Sequence, residues 1–410
     1  MIEGKARCGL RYAVKRSGSA VGYCSLSIKC GTRDEGGFPE GIAHFTEHTI
    51  FKGTSRRSAS TINSYLDKLG GELNAYTTKE EIVIHSTVLK EDIGKALGLL
   101  MDLATAPTFP DNEIETEKGV VTDEINSYKD SPADEIYDRF EEMLFGSHPL
   151  GRRILGKCST VKKITGDDLR RFTSERFLPS RMAMAVVADV DEKKMEGLLL
   201  KLISFYFGEE PREPDPPVSA SPSPIPTLFD RTLEKRNHEA NAVIGSTAPS
   251  LYDGAARYSA SLLANILGGP ASNSLLNAEL REKHGWVYNV ETSYTPFSDT
   301  GVFAINLGCD RANLDKCFKT ISKVVTRLQD SPMSEQKVKA ARKQFLGQLA
   351  ISSDNGETQC LSMGKSLLAY GHISSDEEIR ERIASISPSD IMASAADILA
   401  PGRVSRLIFL

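Results

Sequence analysis

Residues 208–231, GEEPREPDPPVSASPSPIPTLFDR, constrain the fold more than any other stretch of this chain. Seven prolines set among serines and acids remove backbone donors and fix φ too often for a helix or a central strand. The stretch reads as an extended tether. It divides the chain into residues 1–207, a linker over 208–231, and residues 232–410. At 410 residues the chain is too long for one ordinary core. Each half has room for one domain of roughly 200 residues.

The halves read alike in element order. The first opens on strand-like LRYAVKR and AVGYCSLSIKCG, followed by a histidine-bearing helix. A second helix, SASTINSYLDKLG, has Ser58 or Ser60 as its N-cap and Gly70 as its stop. Strand-like GELNAYTT and EIVIHSTVL come next, then helices over about 90–104, 111–129, 133–145, 166–176 and 191–205, with the strand MAMAVVADV before the last. The second half begins with the strand NAVIGSTAP, helices near 254–267 and 273–283, and strands VYNVETSYTPF and GVFAINLGC. Helices near 311–329, 334–352, 357–369, 375–385 and 388–398 lead to a closing strand, SRLIFL. Strands before helices is the order of an α+β chain. The expected architecture is two homologous α/β-sandwich half-domains, each an antiparallel-rich sheet covered by helices.

Composition removes several function classes. A formal net charge of −5 leaves no basic stripe for nucleic acid. No apolar run approaches the length of a membrane span, and the N-terminal MIEGKARCGLRYAVKR has no apolar signal core. Seven cysteines, odd in number and without a C-x-x-C pair, argue against a disulfide framework or a cysteine zinc knuckle. The expected location is therefore the cytoplasm, as a soluble bacterial protein.

The chemistry concentrates in GIAHFTEHTIFKGT, residues 41–54. On a helix, positions i and i+4 lie about 40° apart around the axis and one turn along it. His44 and His48 therefore point the same way, with Glu47 beside them. Neutral imidazoles suit zinc, and an adjacent carboxylate can take a proton from water that zinc activates. A catalytic zinc needs a third protein ligand and an open position. ETEKGVVTDEINSYKD, residues 115–130, places Glu117 and Glu124 two turns apart on one helix face, with Val120, Val121 and Ile125 to press it onto the domain. Glu124 is a candidate to complete a His, His, Glu set, and Glu117, on the same face, could orient a ligand or Glu47. A closed structural site needs a fourth ligand, for which His85 is the only nearby alternative.

H-x-x-E-H is the inverted zinc motif of the inverzincins, and GIAHFTEHTIFKGT resembles the zinc helix of the pitrilysin family, above all its mitochondrial-processing-peptidase-like branch. In that family the third ligand lies about 76 residues beyond the second histidine in an E-x6-E segment. Glu124 lies 76 positions after His48, and Glu117 matches the family's assisting glutamate. GGELNAYTTKE is similar to the family's substrate-pairing edge strand, which implies that Asn74, Ala75 and Tyr76 lie beside the peptide. LGGPASNSLLNAELREKHGWVY resembles a second-half segment that implies a substrate role for Arg281 and Tyr288. His284, Trp286, Val287 and Pro270 depart from that segment's usual residues, as Ile82 and Ile84 do near the edge strand; these departures bear on substrate preference.

The resemblance implies a zinc endopeptidase with one Zn²⁺ per chain and Glu47 as the base. Its substrates would be unfolded or short peptides, enclosed when the two halves close as a clamshell. It also implies a homodimer or a heterodimer with a related chain. The alternative within the same family is a non-catalytic partner or scaffold subunit.

Overall fold

The computed structural model of the chain describes residues 1–211, 224–235 and 238–410. Half of the expected tether, residues 212–223, lies outside the described residues. The first half of the chain opens with β1 (Ile2–Lys5), β2 (Arg11–Arg16) and β3 (Val21–Ile28), then α1 (Ile42–Thr49) and α2 (Ala59–Tyr65). β4 (Glu72–Thr77) and β5 (Ile82–Leu89) follow, then α3 (Ile93–Thr105), α4 (Asp111–Lys129), α5 (Pro132–Phe145), α6 (Cys158–Val161) and α7 (Gly166–Arg176). β6 (Met182–Ala188) and α8 (Glu192–Phe207) complete it. The second half contains β7 (Asp230–Leu233), β8 (Ala240–Ala248), α9 (Gly254–Gly268), β9 (Val287–Pro296) and β10 (Gly301–Cys309). It ends with α10 (Leu314–Asp330), α11 (Glu335–Asp354), α12 (Gly356–Tyr370), α13 (Asp376–Ala384), α14 (Pro388–Ile398) and β11 (Ser405–Phe409).

Each half builds one sheet. The first has the order β1-β2-β6-β3-β5-β4, the second β7-β11-β8-β10-β9. Only the β2–β6 and β7–β11 pairs are parallel, so both sheets are antiparallel-rich, as expected for this α+β class. Central β6, MAMAVVA, is buried on both faces. Its even-numbered residues, such as Met184, join the large core under α1 and α3, and its odd-numbered residues face the other way. Among the described residues no helix is long and apolar enough to cross a membrane.

The chain divides by contacts into two units that are not continuous in sequence. One comprises Met1–Asn126, the residues from Arg152 through α8, and Ile351–Ile373; the other comprises Ser127–Gly151, the residues from β7 to Ala350, and Ser374–Leu410. Each unit thus takes a helix from the other half of the chain, which differs from a simple division at the proline-rich stretch. α12 covers the first sheet, setting Cys360, Met363 and Leu367 against Ala13, Ala183, Ala185 and Val187. The alanines let it lie close, and Gly364 helps, since a Cβ at that position would come 2.6 Å from Ser27 Oγ and force that hydroxyl to move. α5 covers the second sheet with Ile136, Phe140 and Leu144, spaced four apart, against Val243, Val302, Ala304 and Phe409. The spacing shows that each helix has an apolar stripe, but not which sheet the stripe covers.

Phe140 is fully buried in that second contact. Phe140→Ala is expected to cost about 3–5 kcal/mol in urea unfolding. Hydrogen exchange should then loosen β8, β10 and β11 while β3 and β6 stay protected. Loosening of the first sheet instead would show that α5 belongs with its sequence neighbours.

Candidate metal centre

α1 is only eight residues long, too short to be stable alone, so its geometry depends on what surrounds it. Ile42, Ala43 and Phe45 anchor it in the first core with no exposed surface. Its N-cap is Gly41, at φ 95°, which has no side chain to cap the helix. Fully buried Glu35 substitutes, accepting hydrogen bonds from Gly41 N (3.0 Å) and Ala43 N (3.0 Å). Burial pushes the Glu35 carboxyl up to about 8 against the pull of those two amides. Gly41 is also hemmed in, since a Cβ there would sit 3.0 Å from the Gly156 backbone. A tight entry and a borrowed cap therefore aim the histidines.

His44 and His48 lie side by side, with ring centroids 4.5 Å apart and planes tilted by 60°. Their Nε2 atoms lie 3.7 and 3.4 Å from Glu124 Oε2, which reaches them from α4. These three are the only group of three or more potential metal ligands among the described residues. Glu124 Oε2 is enclosed yet has no hydrogen-bond partner. Tetrahedral bonds of about 2.0–2.2 Å would separate neighbouring ligand atoms by about 3.3–3.6 Å, so the spacing and the orphaned oxygen both fit a zinc-sized cation. Glu124's side chain is 41% exposed, leaving that side open for a fourth group.

The electrostatics agree. Burial, then the neighbouring His48, bring His44 down to about 4, so it is the neutral imidazole a cation needs. Burial also pulls His48 down, but the Glu124 and Glu117 carboxylates outweigh it and raise His48 to about 9. A bound cation would take the place of that extra proton. His48 likewise holds Glu124 below the ordinary carboxylate range.

The other carboxylates sit around this group. Glu117 is 5% exposed and turns away from the convergence point. Its Oε1 is 2.8 Å from His48 Nδ1, and its Oε2 is 2.7 Å from Lys52 Nζ. It therefore contacts a histidine and not Glu47. Glu117 lies on the buried stripe of α4 with Ile114, Val121 and Ile125. Val120, expected to pack, is 48% exposed, because the stripe follows a spacing of three and four from Ile114 and passes it by. Glu47 accepts a hydrogen bond at Oε2 from Thr77 Oγ1 (2.9 Å), and burial raises its pKa against the opposing effect of that bond.

β4 is an edge strand, hydrogen-bonded to β5 on one side, with Asn74, Ala75 and Tyr76 opposite His85, Ile84 and Val83. Its last residue, Thr77, is the one that holds Glu47. His85 is not drawn into the metal group; its Nδ1 lies 3.0 Å from Glu357 on α12. Arg281 and Tyr288 belong to the second unit. Arg281 is exposed on Asn277–Lys283, which is π-helical where an ordinary helix was predicted, a geometry common at functional sites. The Tyr288 hydroxyl donates to Asp310 Oδ1 (2.7 Å).

Lys52 and Thr77 were not singled out from the sequence. Lys52 had a signal, standing four residues after His48 in the turn that continues α1. Thr77 had none, because its partner lies 30 positions away on another element.

An α+β sheet unit carrying H-x-x-E-H on one helix and a distant glutamate on another defines an inverted-motif metal site. Comparison with known proteins agrees with that class. Residues 11–157 match the family model described as insulinase (peptidase family M16), and residues 163–345 match the peptidase M16 inactive domain. An uncharacterized zinc protease, YmxG, of Bacillus subtilis is 31% identical over 86% of this chain and 85% of its own length. Another from Mycobacterium leprae is 30% identical over 91% of this chain and 83% of its own. The crystal structure of a peptidase M16 inactive domain from Pseudomonas fluorescens shares the fold with a TM-score of 0.89 at 19% identity, covering 100% of this chain and 97% of that one. A protease from Helicobacter pylori gives 0.88, also at 19% identity, covering 100% and 98%. The chain belongs to the M16, pitrilysin-like, peptidase family.

Proposed function

We propose that this protein is a zinc-dependent endopeptidase acting on unfolded or short peptides. The observation that carries the reading is the convergence of one ligand atom each from His44, His48 and Glu124, all within 4.8 Å of one another, with a half-buried carboxylate, Glu47, next to it on the same helix. When bound, the cation supplies a Lewis acid that polarises the scissile carbonyl and activates water. Glu47 Oε2 is held by Thr77, which leaves Oε1 to accept the proton of the attacking water and deliver it to the departing amine. The free edge of β4, along Asn74, Ala75 and Tyr76, offers main-chain groups to an extended peptide, so selection falls on conformation more than on sequence. Since Thr77 ends that strand, the paired peptide is brought to the residue that holds the base.

Arg281 and Tyr288 are proposed to reach the substrate or its oxyanion from the second unit, for which the Tyr288 hydroxyl must release Asp310. We place the enzyme in the bacterial cytoplasm, as a homodimer or a heterodimer with a related chain.

The test is hydrolysis of a denatured-peptide library by the purified protein. Cleavage should stop with a chelator, return with one equivalent of zinc per chain, and occur within chains as well as at their ends. A second reading, a non-catalytic partner subunit, draws on the word "inactive" in the name of the domain family that residues 163–345 match, a stretch that excludes the H-x-x-E-H segment. Stoichiometric zinc without turnover of any peptide, alone or with a related chain, would favour it.

A further inference from the structure

We propose that Lys52 is a positioning residue of the metal centre, acting through Glu117 on His48. The inference rests on the reading that His44, His48 and Glu124 hold a cation. Lys52 ends the 3-10 turn Ile50–Lys52, which continues α1 directly, so its backbone is fixed relative to His48. Its ammonium lies 2.7 Å from Glu117 Oε2, and Glu117 Oε1 lies 2.8 Å from His48 Nδ1. The three side chains form one line from the surface to the convergence point.

Charge balance explains why the outer member matters. Glu117 is enclosed on the apolar stripe of α4, where an unpaired carboxylate is strongly disfavoured. A neutral imidazole gives it a hydrogen bond but no countercharge, and a ligand of a cation must be neutral. Lys52 supplies the missing charge. With both oxygens of Glu117 accepting, His48 must donate from Nδ1, and its Nε2 keeps the lone pair that faces Glu124 and His44. His44 has no comparable support, since its buried Nδ1 has no hydrogen-bond partner. The helix aims both histidines, but the ring orientation and tautomer of His48 depend on the Lys52–Glu117–His48 line.

The experiment is zinc affinity of the full chain by competition with a chromogenic chelator, which needs no peptide turnover. Lys52→Met, which keeps the apolar stem and removes the charge, is expected to weaken zinc binding by about 10–100-fold. Lys52→Arg should stay close to wild type. In a Glu117→Gln background, Lys52→Met should add nothing, because the line is already broken. Unchanged zinc affinity in Lys52→Met overturns the proposal, as do losses that simply add in the double variant. Thermal unfolding of the zinc-free proteins separates a folding defect. If Lys52→Met does not fold, Lys52→Gln against Lys52→Arg decides, equal affinities counting against the proposal. Failure of the wild type itself to bind zinc would instead remove the metal reading on which the proposal rests.

Discussion

Glu47→Gln is expected to lower peptide hydrolysis by about 10²–10⁴-fold, the usual contribution of a general base, while zinc remains bound. Glu47 stands outside the converging ligand atoms, so its loss takes no bond from the cation. Glutamine is nearly isosteric and its amide oxygen can still accept from Thr77, so the link between α1 and the edge strand survives. The measurement is kcat on a denatured peptide together with zinc content after gel filtration. Wild-type turnover in this variant would remove Glu47 from the base role. Lost zinc would make it a ligand or a fold-holding residue instead.

Glu124→Ala carries the other large expected effect, of the opposite kind. Apparent zinc binding energies of about 10–16 kcal/mol, shared over four ligands, come to about 2.5–4 kcal/mol each. Removing Glu124 should therefore weaken zinc by about two to three orders of magnitude and abolish turnover at ordinary zinc concentrations. Because the Glu124 side chain is 41% exposed, the zinc-free protein should unfold at nearly the wild-type temperature. Full zinc affinity in Glu124→Ala would move the third ligand elsewhere. The pair of variants separates two functions that stand side by side: one keeps the metal and loses the proton transfer, the other loses the metal.

Much of this site was legible in the chain because a helix turns local spacing into direction. His44 and His48, four apart, had to share a face, and Glu117 and Glu124, seven apart, had to share another. Spacing could not say which glutamate meets the histidines, since both point the same way. That depends on where α4 lies beside α1, and the result is a half-exposed Glu124 at the convergence point and an enclosed Glu117 behind His48. Lys52, four residues past His48, was within reach of the same reasoning, but its role needs a partner 65 positions away. Val120 shows the limit on the apolar side. It is hydrophobic and adjacent to Val121, yet one step around the helix turns it to solvent.

The amino-acid order by itself determined most of the elements and the histidine pair, because helix capping, strand alternation and i,i+4 spacing act within a few residues. The short β1, α6 and β7 carried no such signal. Ser58, one of two serines expected to cap α2, accepts from Thr61 N as such a cap should. Tertiary structure alone decided the rest. It placed α5 on the second sheet and α12 on the first, each across the proline-rich stretch from its own half. It set Glu35 as the cap of the metal-bearing helix and brought Thr77 to Glu47. Each of these joins residues on separate elements, and only packing in three dimensions determines which apolar stripe meets which sheet and which polar atom finds a partner.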